Sequence, residues 1–223
     1  MAMINLRNAL IGGKKSILPP GAVPIEYLES TERQALNTGV SASGSDRFRV
    51  RVEIYRTRLA SSVMGAQDTS RTIVWFGGYL TNGDIGAFSG LYYALANGWE
   101  TVDILASYSE NKMTVTNNGV TRTLNGTRKW ATSNFGLFAS NTNDWSQRGC
   151  CRIRKCEIEK DGVLVRNFIP IKIEENGTWI GYMFDTVSKT YLPFGNDYSG
   201  SGTKPFTLGP DAASGTSAAR GGV

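Results

Sequence analysis

The amino-acid sequence predicts an all-β protein, a two-sheet antiparallel jelly-roll sandwich with an extended N-terminal arm and a flexible C-terminal tail. Three observations lead to this fold class. Apolar and polar residues alternate with a period of two in many short segments, turn-forming residues separate those segments, and no long stretch has the helical period of about 3.6 residues. The 223 residues are 40% hydrophobic and 19% charged, which suits one large domain with a buried core.

The strand predicted over residues 47–55, R-F-R-V-R-V-E-I-Y, shows this alternation most clearly. One face carries the apolar side chains Phe48, Val50, Val52 and Ile54. The other face carries Arg47, Arg49, Arg51, Glu53 and Tyr55. The pattern indicates one buried and one solvated face. It favours cross-strand ion pairs for the arginines over a ligand-binding stripe.

Further segments with strand character follow, and turn signals separate them. They are residues 62–66, 72–79, 90–95, 102–108, 111–116, 120–124, 135–139, 151–159, 163–169, 179–185 and 190–193. Asn117-Asn118-Gly119 and Lys160-Asp161-Gly162 predict two tight hairpins, because such residues tolerate positive φ. About twelve short strands in one domain imply two stacked antiparallel sheets.

Residues 1–23, 24–210 and 211–223 are predicted to be an assembly arm, the jelly-roll domain and a flexible tail. The arm contains no acidic residue. It is expected to dock on a neighbouring subunit through Ile4, Leu6, Leu10 and Ile11, beside the basic residues Arg7, Lys14 and Lys15. The last segment is rich in Gly, Ala and Ser, a composition typical of a mobile tail.

Composition excludes several function classes. The chain has no histidine, which rules out a Ser-His-Asp triad, a Cys-His dyad and a histidine-based metal site. The net charge is +5, but no basic stripe interleaved with aromatics predicts nucleic-acid binding. No signal peptide and no segment of membrane-spanning length is visible, so export by the general secretory route and membrane insertion are not expected.

The three cysteines do not predict a disulfide framework, because their number is odd. Strand alternation places Cys150 and Cys156 on one face and Cys151 on the other. Cys150 and Cys156 lie too far apart along a strand to form a bridge. We expect the cysteines to be small buried apolar residues without a redox role.

Four stretches carry a family resemblance, and they occur along the chain in the family's order. They are I-E-Y-L-E-S-T-E-R-Q-A-L-N-T-G-V at 25–40, N-F-G-L-F-A-S-N at 134–141, I-R-K-C-E-I-E-K-D-G-V-L-V-R-N-F-I-P-I at 153–171, and I-G-Y-M-F-D-T-V-S-K-T-Y-L-P-F-G-N…F-T-L-G-P at 180–210. They resemble the laminin-G-like, concanavalin-A-like lectin-glucanase jelly rolls found in tailed phages and prophages of gut bacteria. Glu32, Asn37 and Ile171 stand where the family has Gly, Asp and Cys.

Within these stretches most residues are interpreted as making the fold. Thr38-Gly39 is expected to end a strand at a turn. Asn167 to Pro170 is expected to run a strand to a sheet edge, where proline leaves no ladder bond unmade. Tyr182 and Phe184 alternate with Met183 and Asp185, so one face should pack aromatic rings.

The resemblance raises two chemical alternatives. Glycanases of this fold use paired acids on one strand, and Glu157 and Glu159 share a face. Their order does not match the glycanase motif, so we do not expect an enzyme. Calcium binding is left open, because laminin-G-like domains bind calcium in loops rich in Asp and Asn. The candidate loops in this sequence are residues 82–84, 141–144 and 196–197, and none of them has a diagnostic spacing. No other cofactor is expected.

A glycan site requires an exposed aromatic ring beside hydrogen-bonding groups. Trp99 with Asn97, and Trp145 with Asn143 and Asp144, fit best, because both tryptophans follow polar loop residues. Trp130 fits less well, whereas Trp75 and Trp179 lie in strand patterns and are expected in the core. Capping of the sandwich or a subunit interface is the alternative role for the loop tryptophans.

Three functional hypotheses follow from these observations. The first is a non-enzymatic phage virion protein, a fibre or decoration subunit that displays a lectin-like domain for adhesion to host-surface glycans. It would be a homo-oligomer that contacts other virion proteins through its arm and is located in the virion. The second is a bacterial cell-surface carbohydrate-binding module, and the third is a glycanase.

Overall fold

The computed structural model describes residues 17–31, 34–57, 62–66, 74–77, 85–87, 91–93, 98–125, 133–139, 149–192 and 205–213. These residues form seventeen β-strands in two antiparallel sheets, and no helix occurs among them. This part of the chain therefore has no helix that could span a bilayer. The predicted all-β sandwich is confirmed.

The larger sheet has eleven strands. They are β1 (Val23–Pro24), β2 (Leu28–Thr31), β4 (Arg47–Arg56), β9 (Trp99–Ser107), β10 (Lys112–Asn117), β11 (Val120–Asn125), β13 (Cys150–Lys160), β14 (Val163–Glu175), β15 (Thr178–Asp185), β16 (Thr190–Leu192) and β17 (Thr207–Leu208), numbered in chain order with the strands of the second sheet. Its main path runs β11-β10-β9-β4-β13-β14-β15-β16. Beside this path, β1 pairs with β14, and β2 pairs with both β13 and β17.

The smaller sheet has six strands in the order β3-β12-β5-β6-β7-β8. They are β3 (Leu36–Ser41), β5 (Ser62–Ala66), β6 (Val74–Gly77), β7 (Ile85–Ala87), β8 (Leu91–Tyr93) and β12 (Asn134–Leu137). Thr38 and Gly39 lie inside β3, so the prediction that they end a strand is wrong. Gly39 has a φ of 69°, which lets the strand bend and continue instead of turning.

The main core lies between the two sheets and follows from alternation in β4. Phe48, Val50, Val52 and Ile54 are buried, as the sequence predicts. Phe48 meets Phe135 of the smaller sheet, with their ring centroids 5.9 Å apart. Each such burial stabilises the fold by roughly 1.5–3 kcal/mol, so this contact helps to hold the sheets together.

Three tight turns set the register of the large sheet. The two predicted hairpins are confirmed: β10 pairs with β11 around Asn118 and Gly119, and β13 pairs with β14 around Asp161 and Gly162. A third joins β14 to β15 through Asn176 and Gly177, with φ values of 51° and 79°. Asn-Gly is the strongest short hairpin signal, so the sequence already contained this turn.

A β-bulge in β13 corrects the prediction for the cysteines. Ile153 pairs with Ile54 and Lys155 pairs with Glu53, so Arg154 is an extra residue that shifts the alternation by one. Cys151 and Cys156 consequently both point into the core and are fully buried, whereas Cys150 is half-buried. The expectation of small buried residues holds for Cys151 and Cys156, but the predicted assignment of faces is wrong.

Pro170 corrects a second expectation, because β14 continues past it to Glu175. The Pro170 carbonyl accepts a hydrogen bond from the Ile25 N–H beyond β1 at 3.1 Å. In a strand the N–H and C=O of one residue point to the same side, so the missing N–H of Pro170 faces away from β15. The β14–β15 ladder therefore continues past Pro170 without a missing hydrogen bond.

The outer face of β14 and β15 carries a second, smaller core. Ile171, Tyr182 and Phe184 are buried there, so the predicted aromatic face is confirmed. Leu18 and Ala22 pack against them from the N-terminal side. At the C-terminal side, Ala212 N–H donates to the Pro24 carbonyl and Asp211 forms an isolated bridge with Ile25. Residues 18–23 and 211–212 thus contact the sandwich itself, while the predicted domain boundaries stay a prediction.

A charged pair is buried on the inner face of the large sheet, near one end of the sandwich. The Arg56 Nε donates to Glu100 Oε1 at 2.9 Å, and their side chains are 6% and 0% exposed. Asn117 Nδ2 donates to Glu100 Oε2, also at 2.9 Å. The carboxylate is therefore satisfied on both oxygens, as a buried charge requires.

Glu100→Ala is expected to reduce the free energy of unfolding by about 3–5 kcal/mol, because it leaves the Arg56 charge buried without a partner. Asp103→Ala is the matched control. Asp103 pairs with Arg49 on the solvent face, where loss of an ion pair costs under about 1 kcal/mol. Urea denaturation measures both. Similar losses of unfolding free energy in the two variants would show that the buried ion pair stabilises the fold no more than the exposed one.

Alkylation of the cysteines should separate them by burial. Burial raises the pKa of the Cys151 and Cys156 thiols well above the ordinary value, so both stay protonated and unreactive at mildly alkaline pH. We expect iodoacetamide to modify Cys150 in the native protein and all three cysteines after denaturation. Mass spectrometry of the peptides reads the sites. Native labelling of Cys156 would contradict the bulged register.

Candidate functional site

A cluster of aromatic and charged side chains lies on the outer face of the large sheet, at the end where β4 finishes and β9 begins. The register places Trp99 directly opposite Tyr55, Tyr55 opposite Arg152, and Arg152 opposite Glu29. These four residues form one row across β9, β4, β13 and β2. Tyr27, just before β2, lies with its ring centroid 5.9 Å from that of Trp99. We call this set, with Arg154 and Glu26, the Trp99 cluster.

Two arginines stack on the rings of the Trp99 cluster. The guanidinium of Arg154 lies 3.8 Å from the centroid of Trp99, and that of Arg152 lies 4.8 Å from the centroid of Tyr27 and 5.3 Å from that of Tyr55. Such cation–π contacts each stabilise by roughly 0.5–1 kcal/mol at exposed sites. They hold the rings and the guanidinium groups in a fixed arrangement.

Carboxylates hold the two arginines in place from the other side. Arg152 Nε donates to Glu29 Oε2 at 2.9 Å, and Arg154 Nη2 lies 3.5 Å from Glu26 Oε2. The hydrogen bond to Glu29 also raises the pKa of Arg152. The Arg152 and Arg154 side chains remain 33% and 38% exposed. Some of their N–H donors are therefore still open to solvent or to a ligand.

The β13 bulge lets the same strand serve both this site and the core. Arg152 and Arg154 alternate onto the outer face, where Arg154 reaches the ring of Trp99, and the extra residue of the bulge then returns Cys156 to the inner face. The backbone under Tyr27 is held from the other side by Gly209, where a Cβ atom would lie 2.9 Å from both the N and the O of Tyr27. Only glycine fits this close approach of two chains.

The predicted site residues are only partly within the described structure. Trp99 is the first residue of β9 and half-buried, so the prediction that it lies in a loop is wrong, while its glycan-binding role stays a prediction. Asn97, Asn143, Asp144 and Trp145 lie outside the described residues, as does Trp130. The arm residues Ile4, Leu6, Arg7, Leu10, Ile11, Lys14 and Lys15 also lie outside them.

The two segments that carry those loop residues attach at the same end of the sheet. The segment that carries Asn97 leads into Gly98 and Trp99 at the start of β9. The segment that carries Asn143, Asp144 and Trp145 leads into Gly149, just before β13. The Gly149 N–H donates to the Phe138 carbonyl at 2.8 Å. Phe138 has a φ of 62°, a conformation that costs a bulky residue energy and is found at functional sites more often than elsewhere.

Trp179 corrects a prediction, because it is 42% exposed instead of lying in the core. It lies next to the turn that joins β14 to β15, and the Lys172 ammonium lies 4.8 Å from the centroid of its ring. Trp75 lies in β6, as the strand pattern predicted. Trp179 therefore supplies an exposed tryptophan outside the Trp99 cluster.

The three arginines on the outer face of β4, Arg47, Arg49 and Arg51, form an ion-pair layer, as the sequence predicts. Arg49 Nε donates to Asp103 Oδ1 at 2.8 Å, and Arg51 contacts both Glu157 and Glu159. Glu157 and Glu159 do share a face, but an arginine lies between them and both are engaged in ion pairs. The arrangement gives neither carboxylate the apolar surroundings that a general acid needs.

No cluster of three or more Cys, Asp or Glu side chains suited to a metal ion occurs in the part of the chain that the structure describes. The loops considered for calcium, residues 82–84, 141–144 and 196–197, lie outside that part. Calcium binding therefore stays an open prediction.

The Trp99 cluster combines flat aromatic surfaces with both hydrogen-bond donors and acceptors. Sequence analysis found Trp99 and placed Tyr55 on the solvated face, but it missed Tyr27, Arg152, Arg154, Glu26 and Glu29. The alternation in C-R-I-R at 151–154 was a usable signal for the two arginines. Their meeting with Trp99 depends on strand register, which a single sequence does not show.

Comparison with known proteins supports the fold. No family model matches the sequence, and no curated protein is similar to it. A solved structure named "putative carbohydrate binding protein", from Bacteroides ovatus, superposes with a TM-score of 0.53 at 12% identity over 86% of this chain. The alignment spans 61% of that protein. The native heptameric SAP-like pentraxin of Limulus polyphemus superposes with a TM-score of 0.43 at 11% identity, over 61% of this chain and 74% of its own.

Proposed function

We propose that this chain is a non-enzymatic, lectin-like module that binds a glycan at the Trp99 cluster. The observation that carries the proposal is the row of half-buried rings and charged groups across β9, β4, β13 and β2. Sugars present apolar C–H faces beside hydroxyl groups. A site that offers aromatic rings next to guanidinium donors and carboxylate acceptors matches both features.

The place of the cluster in the fold agrees with this role. It lies at the end of the sandwich where the segments carrying Asn97 and Asn143 to Trp145 attach. Loops on a rigid sheet are where binding residues commonly lie. The similarity in fold to a Bacteroides protein named for carbohydrate binding supports the same class of ligand.

In its finer form, the proposal places this module in a phage virion, as a fibre or decoration subunit that adheres to host-surface glycans. The family resemblance of the four sequence stretches supports this setting. The arm at residues 1–23 would attach the module to a neighbouring subunit. A bacterial cell-surface carbohydrate-binding module is the alternative setting, and it would use the same site.

A glycanase is less well supported. Its carboxylate pair would be Glu157 and Glu159, which the structure shows engaged by Arg51. Each carboxylate also lies beside a second cation, Glu157 beside Lys155 and Glu159 beside Arg49. The ion pairs therefore favour a structural role for these acids.

Trp99→Ala is expected to weaken glycan binding by about tenfold or more, because it removes the central ring of the cluster and the stacking surface for Arg154. Trp179→Ala is the matched control, since Trp179 is an exposed tryptophan outside the cluster. A glycan array identifies a ligand of the native protein. Isothermal titration calorimetry with that glycan then compares the three proteins.

Thermal unfolding of each variant checks that the sandwich is intact before affinities are compared. Equal weakening by both tryptophan variants would contradict a site at the Trp99 cluster. The absence of any bound glycan on an array that includes bacterial surface polysaccharides would contradict the lectin-like role. Hydrolysis of the bound glycan by the native protein, abolished in Glu157→Gln, would establish the glycanase instead.

A further inference from the structure

The outer face of the large sheet changes character from one side to the other. Over β4, β9 and β13 it is an ion-pair layer, whereas over β14, β15 and β16 it is apolar. The apolar part consists of cross-strand pairs that face away from the main core. They are Ile169 with Phe184, Ile171 with Tyr182, Ile173 with Ile180, and Phe184 with Tyr191. We call this surface the β14–β16 outer face.

The described residues cover the β14–β16 outer face only in part. Leu18 and Ala22 pack against it, but Tyr191 is 44% exposed. Tyr191 stacks on Tyr182 with ring centroids 4.7 Å apart, so the exposed ring continues the buried cluster. An apolar surface of this kind on the solvent side of a sheet indicates a contact with another chain segment.

The C-terminal end of the N-terminal arm lies on this surface. A turn closed by the Ala22 N–H and the Pro19 carbonyl, with Gly21 at a φ of 76°, brings Leu18 onto the outer face. Residues 1–16 precede this point and lie outside the described structure. The segment leading into the sandwich thus already uses the β14–β16 outer face as its packing surface.

The chemistry of the arm complements that of the face. Residues 4–11 supply Ile4, Leu6, Leu10 and Ile11, and the arm is basic at Arg7, Lys14 and Lys15 without an acid. Near the hairpin turn of β14 and β15, Glu175 lies on the same face and accepts a hydrogen bond from the Tyr182 hydroxyl. Apolar residues of the arm would meet apolar residues of the face, and a basic side chain of the arm would meet the Glu175 carboxylate.

We propose that the β14–β16 outer face is the acceptor for residues 4–11 of the arm of a second copy of this chain. This proposal rests on the assembly role proposed above for the arm, and it is independent of glycan binding. Because the root of the arm lies at the face, two copies related by a two-fold axis can each lay an arm on the other. Such a contact is self-complementary and closes without further copies.

The test measures the mass of the full-length chain by light scattering after size exclusion, for two variants and their controls. Tyr191→Asp places a charge on the acceptor face, and Tyr108→Asp is its control on a tyrosine that is 59% exposed elsewhere. Leu10→Asp places a charge in the arm, and Asn8→Asp is its control. We expect Tyr191→Asp and Leu10→Asp to lower the mass to that of a single chain, while both controls remain assembled.

Mixing the two monomeric variants distinguishes exchange between copies from other causes. The Tyr191→Asp chain keeps an unaltered arm, and the Leu10→Asp chain keeps an unaltered acceptor face. In the mixture, the arm of the first chain can therefore bind the face of the second. We expect the mixture to recover an assembled species. Failure to recover it would overturn the proposal, and thermal unfolding of each variant verifies that the sandwich is folded.

Three further outcomes would each overturn part of the proposal. Assembly that Leu10→Asp abolishes but Tyr191→Asp leaves intact would keep the role of the arm and overturn this face as its acceptor. A monomeric native chain, with residues 4–11 protected from hydrogen exchange, would place the arm on its own domain and overturn the second copy. A monomeric chain with unprotected residues 4–11 would overturn both. Glycan affinity of the Trp99→Ala variant is measured separately and depends on none of these results.

Discussion

The pairing of β13 with its neighbours is the constraint on which the rest of the structure depends. Along one edge β13 pairs with β4 over nearly its whole length, while its other edge pairs first with β2 and then with β14. The bulge at Arg154 lies where the second partner changes. The extra residue bends β13 locally, so that one edge stays paired with β4 while the other edge changes from β2 to β14.

Both faces of the sheet depend on this bulge. On the inner side it returns Cys156 to the core in step with Ile158, so the interior stays closely packed. On the outer side it lets Arg154 stay over the ring of Trp99, beside Arg152 on Tyr27 and Tyr55, while Cys156 still faces inward. A strand without the extra residue would turn either the core residues or the arginines to the wrong face. The core and the candidate site are thus two results of a single backbone feature.

The outer face of the large sheet has three regions of different character. The ion pairs of Arg49 and Arg51 form a solvated middle, the Trp99 cluster is the candidate site at one end, and the apolar β14–β16 outer face is a packing surface for the N-terminal segment. The proposed binding site and the proposed assembly surface therefore lie on separate parts of the sheet. The buried Arg56 and Glu100 pair lies under the same end of the sheet as the Trp99 cluster.

The sequence by itself determined the fold class, the buried face of β4 and two hairpin turns, because these depend on alternation and on turn residues that are close along the chain. It also contained the Asn176-Gly177 turn and the outward position of Tyr55. Only the tertiary structure decided the faces of the cysteines, the continuation of β14 past Pro170, the exposure of Trp179 and the meeting of Trp99 with Arg154. These features depend on strand register and on which strands become neighbours, and both are set by contacts between residues distant in sequence.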